Sequence, residues 1–347
     1  MPERTLPPVI LRGMMESAPV AIRNVAVAIP LRDEAETIAA CLDAIDRAAA
    51  RYRGHVTVVA FANGCTDDSV AILAGYRPRH FRLDARAASM LPGAAHAGWA
   101  RRLALDAAAD RLTDDRDLLL GTDADTLVAP DWIVRTVAHI DGGHDAVAGL
   151  ALTLRAERAA LGPAAAARLN LLGRYFTAVD YLRAPAAAHD PWPCHGYEGG
   201  ASMALTRGLY RRIGGAPTPP VGEDRALFAA VRAAGGRIRH ARDVRVFTSC
   251  RTHGRAPGGM ADTLRTWISQ DAQMPLHETY PVHVMIAPQD HDDRRPLTFA
   301  TLPTAVATAR RIVRARRHAA DAASTGVPLR PAPQVEPVGV VALGMDG

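Results

Sequence analysis

The sequence predicts an α/β protein built on a mostly parallel sheet with helices on both faces. Three observations carry this. Short apolar runs alternate with segments of 3.6-residue apolar spacing across the first 130 positions. The units repeat at roughly 30 residues, the length of a strand, a crossover helix and the return. The first runs are apolar at nearly every position, as expected of strands covered on both sides rather than one.

Taken in order, Val25–Pro30 is a buried strand that the proline stops. Asp33 and Glu34 begin a helix reaching about Tyr52, with Ile38, Leu42 and Ile45 on one face. Val56–Phe61 is a second strand, followed by the turn Asn63–Asp68, where Thr66 or Asp67 caps a helix over Val70–Tyr76. A third strand lies around His80–Leu83, and a helix spans about Gly98–Leu112. Leu118–Leu120 is the fourth strand and ends in Gly121-Thr122-Asp123-Ala124-Asp125. The second half reads as a strand over Asp145–Leu152, an Ala-rich helical stretch over 157–182, a strand at 201–205, a helix at 223–235 and one or two strands at 237–248. A helix near 261–270, a weakly patterned segment at 276–300, a basic helix at about 304–322 and a Pro-rich tail from Gly326 complete the chain. Residues 1–24 form a leader, 25–270 one catalytic domain (nucleotide-binding half 25–130, acceptor half 131–270), 271–325 a helical extension, and 326–347 a disordered tail.

Composition narrows the function. The chain has 347 residues, 48% hydrophobic and 22% charged, which suits a large-cored globular protein. No window approaches 18 uninterrupted apolar residues, so no membrane span is expected. All 41 basic residues are Arg. The absence of Lys excludes Schiff-base chemistry and the lysine-dependent phosphate loop. The net charge of +5 is too small and too evenly spread to indicate nucleic acid. Cys41, Cys65, Cys194 and Cys250 show no metal-ligand spacing and are read as free thiols in a cytoplasmic protein.

Parallel sheets bind ligands beyond the carboxyl ends of their strands. Asn63 and the Asp123/Asp125 pair both fall there. Two carboxylates one residue apart repel, and a divalent cation, Mg²⁺ or Mn²⁺, relieves this through hard oxygen ligands. The alternative is that they cap the helix beginning near Asp131.

Val25–Asp33, Asn63–Ser69, Asp123-Ala124-Asp125 and Gly222-Glu223-Asp224 together resemble, in order, the landmarks of GT-A-fold glycosyltransferases, family 2 in particular, over about residues 25–270. The resemblance implies a Rossmann-like GT-A sheet with C-terminal acceptor-side elements, and an inverting, metal-dependent transfer from a nucleoside-diphosphate sugar. It places Asp123 at the ribose and Asp125 on the metal with Asp123. Pro30, Leu31, Glu34, Asn63, Arg101 and Ala124 fall along the nucleotide-sugar site, and Glu223-Asp224 on the catalytic acidic pair, with Asp224 the general base. Asp224 also follows Pro219-Pro220 and Gly222, which puts it at the start of a helix, where a carboxylate that only complements the helix dipole is the alternative.

After the last strand, relatives often carry a metal ligand or phosphate-binding basic residues. His253 is then a candidate ligand or a structural histidine, and Arg251 and Arg255 are candidate diphosphate contacts. His195, Tyr197 and Glu198 lie where the family's donor and acceptor meet, or form an ordinary turn. The implied partners are the donor and a small-molecule, glycan or lipid-linked hydroxyl acceptor, with a second copy of the chain or the inner membrane surface as further candidates. Ala62 departs from the pattern, since relatives commonly place there an Asp that reads the base. The other readings are a degenerate GT-A scaffold that binds without turnover, and a sugar-phosphate nucleotidyltransferase, which the Gly-free Pro30–Glu34 disfavours.

Overall fold

The computed structural model describes residues 24–89, 95–184, 189–254, 258–287 and 295–325. The leader up to Arg23 and the tail from Gly326 lie outside the described residues.

Elements follow in the order β1 (Asn24–Leu31), α1 (Ile38–Ala49), β2 (His55–Asn63), α2 (Ser69–Gly75), β3 (Arg82–Ala88), α3 (Ala97–Ala109), β4 (Leu118–Gly121), β5 (Thr126–Val128), α4 (Trp132–Asp141) and β6 (Ala146–Thr153). Then come α5 (Arg155–Ala160), α6 (Pro163–Arg183), β7 (Met203–Thr206), α7 (Arg207–Arg212), α8 (Glu223–Ala233), β8 (Ile238–Thr248), α9 (Met260–Ser269), α10 (Val282–Ile286) and α11 (Leu302–Thr325). The eight strands form one sheet in the order β3-β2-β1-β4-β7-β6-β8-β5. β3, β2, β1 and β4 pair in parallel, as do β6 and β8; β7 runs against β4 and β6, and β5 against β8.

The strand period of two divides the core. Val25, Val27 and Ile29 of β1 face α1 and α4 with Leu42, Ile45, Trp132 and Ile133. Ala26 and Ala28 face the opposite layer, with Leu105 of α3 and Leu227 and Phe228 of α8. Both faces are therefore dry, which is why β1 is apolar along its length. A separate apolar cluster joins Leu172, Tyr175 and Val179 of α6 to Val282 of α10 and Leu302 and Val306 of α11.

Several expectations need correction. β1 continues through Pro30, opposite Phe61. Ala28 O accepts from Thr122 N on the β4 side, so residue 30, two positions on, also turns its backbone that way. The β1–β4 ladder ends at Ala28↔Gly121. The donor Pro30 lacks thus falls where no strand partner exists. The 157–182 stretch is two helices, broken before Pro163, which starts α6. The basic helix α11 lays its apolar side on α6, and Arg316 Nη1 donates to Leu182 O at 2.8 Å. Among the described residues no helix is long and apolar enough to cross a membrane.

Candidate functional site

Topology alone gathers the acidic residues. β1, β2, β4 and β8 deliver Glu34, Asn63, Asp123/Asp125 and Arg251 at their carboxyl ends. Residues 195–202 precede β7, which runs opposite to β4. The chain therefore enters β7 from the same edge. Arg101 lies in the first half of α3, which returns from that edge, and Asp224 is in the first turn of α8.

Arg101 links the two acidic motifs. Its guanidinium donates through Nη2 to Asp123 Oδ1 at 2.9 Å, through Nε to Glu223 Oε1 at 3.0 Å, and through Nη1 to Gly200 O at 3.4 Å. Only 8% of its side chain is exposed. Asp123 and Glu223, flanking charges on a buried cation, hold Arg101 firmly in its charged form. A Cβ at position 200 would lie 2.1 Å from Arg101 Nη2, so the approach requires glycine there. Gly200 also donates its backbone N–H to Asp224 Oδ2 at 3.0 Å, while Arg225 N donates to Oδ1 at 2.8 Å. Burial, then the Glu223 charge, raises the Asp224 carboxyl above its ordinary range against the pull of Arg101. Gly222 precedes α8 at φ +75°, a conformation that L residues with a side chain adopt only at a cost. Glycine at 222 sets how Glu223 and Asp224 enter the cleft.

A second arginine serves the other carboxylates. Arg251 Nη1 donates to Glu34 Oε2 at 2.7 Å, Nη2 donates to Glu34 Oε1, and Nη2 lies 3.0 Å from Asp125 Oδ2. Thr248 Oγ1 donates to Asp125 Oδ1 at 3.4 Å. Burial and then the Asp123 charge push Asp125 up to about 6 even with Arg251 alongside. Among the described residues five carboxylates, those of Glu34, Asp123, Asp125, Glu223 and Asp224, thus gather around two guanidiniums.

The remaining predicted residues divide. Pro30, Leu31 and Asn63 end the first two strands, Leu31 and Asn63 being buried, as is Ala124 between the two aspartates. His253 is exposed beyond β8, its Nδ1 3.4 Å from Thr252 Oγ1. Among the described residues the group whose ligand atoms lie within 4.8 Å of one another is Asp33, Cys65 and Asp67, and it includes neither His253 nor the Asp123/Asp125 pair. The carboxylates of Asp33 and Asp67 accept backbone N–H groups of Thr66 and Ala35, tying the turn after β1 to the turn after β2. Arg255 lies outside the described residues.

His195 and Glu198 face inward. Glu198 pairs with Arg232, and its Oε1 is 3.1 Å from His240 Nε2. His240 Nδ1 is 2.8 Å from Asp190 Oδ2. Although burial pulls it down, these two carboxylates lift His240 to about 9, and His240 with Arg239 holds Asp190 down to about 2 against its own burial. His195 Nδ1 accepts from Tyr197 N, and burial and then His240 lower it to about 4. Tyr197 is 36% exposed, with its hydroxyl folded over Gly199 toward the Arg101 cluster. Its phenol, raised by burial and by the charges of Asp224 and Asp123, stays protonated. Sequence reasoning named Glu34 and Arg251 separately but had no means of finding Gly200 or of pairing the two.

Residues 26–159 match the family model described as glycosyl transferase family 2. No curated protein sequence matches the chain. Among solved structures it is similar to the mannosyltransferase PcManGT from Pyrobaculum calidifontis in complex with GDP-Man and Mn²⁺, with 20% identity over 89% of this chain and 80% of that one and a TM-score of 0.48. It is also similar to S. aureus TarS 1-349 in complex with UDP-GlcNAc, with 14% identity, coverage of 83% and 71%, and a TM-score of 0.47. A third is glucosyl-3-phosphoglycerate synthase from Mycobacterium tuberculosis in complex with phosphoglyceric acid, with 17% identity, coverage of 80% and 88%, and a TM-score of 0.42. Residues 26–159 thus match glycosyl transferase family 2, and they span β1 to β6 of the mixed α/β sheet, with Asp123 and Asp125 among them.

Proposed function

We propose that the chain transfers a sugar from a nucleoside-diphosphate sugar to a hydroxyl acceptor with inversion at the anomeric carbon. The observation that carries this reading is the joining of Asp123 to Glu223, and through Gly200 to Asp224, by one buried guanidinium. The donor-side and acceptor-side carboxylates of such a transfer are thereby held in one rigid unit.

The carboxylate set fits a divalent cation. Its oxygens are hard ligands, and the Asp125 carboxyl, raised first by burial and then by the Asp123 charge, stands where a cation would lower it. Asp125 and Asp123 are the residues that would hold the ion, which supplies charge neutralisation at the departing diphosphate. Asp123 and the buried ends of β1 and β2 orient the nucleotide. Asp224 takes the proton of the acceptor hydroxyl as that oxygen forms its bond to the anomeric carbon, and the bond to the diphosphate breaks with its electron pair on the leaving oxygen. Two backbone donors fix the Asp224 oxygens, and burial makes it a stronger base than an exposed aspartate. Tyr197 and the turn around it border the acceptor.

Calorimetric titration of UDP, GDP, ADP, CDP and dTDP, each with and without Mn²⁺, tests the donor site. Metal-dependent binding of one of them, lost in Asp125→Asn, is the expected result. Failure of all five to bind with metal present overturns the nucleotide-sugar reading.

A further inference from the structure

The two arginines of the site differ in how they are held. Arg101 is nearly inaccessible and spends its guanidinium on three partners from three elements. Arg251 is 27% exposed in its side chain, and among the described residues its guanidinium partners are carboxylates. Its backbone N–H donates to Ser249 Oγ at 3.2 Å, and the chain just beyond, at His253 and Gly254, is exposed. The carboxylates it pairs with are fixed. Glu34 is 7% exposed in its side chain, accepts Thr37 Oγ1 at 3.0 Å on Oε2, and donates its own N–H to Ser69 Oγ at 2.8 Å. Asp125 is 15% exposed in its side chain, receives Thr248 Oγ1, and its carbonyl accepts Ser249 N at 3.1 Å. Glu34 and Asp125 thus each keep a hydroxyl partner besides Arg251, whereas the Arg251 guanidinium is held by the carboxylates alone among the described residues.

We propose that Arg251 is a resident counter-cation: its guanidinium neutralises the carboxylate set that would hold the divalent cation, and the metal enters only by displacing it. This rests on the donor-site reading above. Carboxylates that share one guanidinium and are this poorly solvated cannot stand uncompensated. A fork-shaped guanidinium satisfies them by bidentate pairing with Glu34 while reaching Asp125. Displacing it costs those charge-assisted hydrogen bonds, so metal alone binds weakly.

The test is a titration of the purified full chain with Mn²⁺ alone at pH 8, following the free ion by electron paramagnetic resonance. Arg251→Gln is expected to bind Mn²⁺ about tenfold or more tightly than the unaltered protein. Arg251→Lys, which keeps the charge but loses the fork, is expected in between and serves should the Gln variant fold poorly. In Arg251→Gln/Asp125→Asn the gain should vanish. Equal affinities for the unaltered protein and both Arg251 variants, all abolished by Asp125→Asn, would overturn the counter-cation role while leaving the donor site standing. Mn²⁺ binding indifferent to Asp125→Asn, or no Mn²⁺ binding by any variant, overturns the donor-site reading itself.

Discussion

Replacing Arg101 by Gln leaves Glu223 with a side chain only 10% exposed and no cation, and Asp123 with a side chain 33% exposed and one partner fewer. Removing one member of a buried ion pair costs about 3–5 kcal/mol, because the other charge is left uncompensated. The Glu223 contact falls in that class. The Asp123 contact, a third exposed, is closer to a surface pair and adds about 0–1 kcal/mol. Arg101→Gln should therefore lose about 4 kcal/mol, a large part of a total of about 5–15 kcal/mol. Urea unfolding followed by circular dichroism measures this directly. The decisive variant is Arg101→Gln/Glu223→Gln. If the cost is an orphaned charge rather than lost packing, the double variant recovers about 2 kcal/mol relative to Arg101→Gln alone, and the two substitutions are strongly non-additive. A double variant no more stable than Arg101→Gln, or a single variant within about 1 kcal/mol of the unaltered protein, refutes the bridging role.

Asp224→Asn should lower the transfer rate by about 10²–10⁴-fold. It should leave metal-dependent nucleotide binding within error, which calorimetry beside a turnover assay resolves. Gly222→Ala, at φ +75°, should cost about 1–2 kcal/mol by urea midpoint. Stability should also depend on pH through His240. Its pKa is raised on folding from 6.5 to about 9, so the stabilisation is fully present below pH 6.5 and is lost as pH rises through 9. That change amounts to about 3 kcal/mol. Thermal melts between pH 6.5 and 10 should show the decline, and His240→Gln should flatten it; an unchanged slope in that variant assigns the dependence elsewhere.

Much of the fold was legible because burial on both faces leaves nearly unbroken apolar strands, and amphipathic helices separate them. Leu118–Leu120 followed by Asp123 and Asp125 put two carboxylates just beyond a strand end with nothing more than that pattern, and β4 ends at Gly121. The pairings within the site were not legible. Arg101 and Glu223 are 122 positions apart, and Arg251 and Glu34 are 217 apart. Opposite charges are abundant in this chain, so composition cannot select partners; only the sheet order brings these together. The same holds for Glu198, expected where donor and acceptor meet or in an ordinary turn, whose partners His240 and Arg232 carry no sequence signal. β5, three residues long, is too short for its own periodicity and exists because β8 offers it an edge. Pro30 misled for a similar reason: whether a proline ends a strand depends on which side its nitrogen faces and whether a neighbour stands there.

The sheet runs without interruption from β3 through β7 to β5. Asp123 and Asp125 leave β4, while Arg251 follows β8, three strands across the same hydrogen-bonded layer. The two flanks of the cleft thus share one rigid floor and cannot swing together like hinged jaws. Any adjustment of the cleft to what it binds falls to side chains and edge turns. Altering what such a cleft accepts is then a matter of changing a few projecting groups, with the spacing of the floor kept intact.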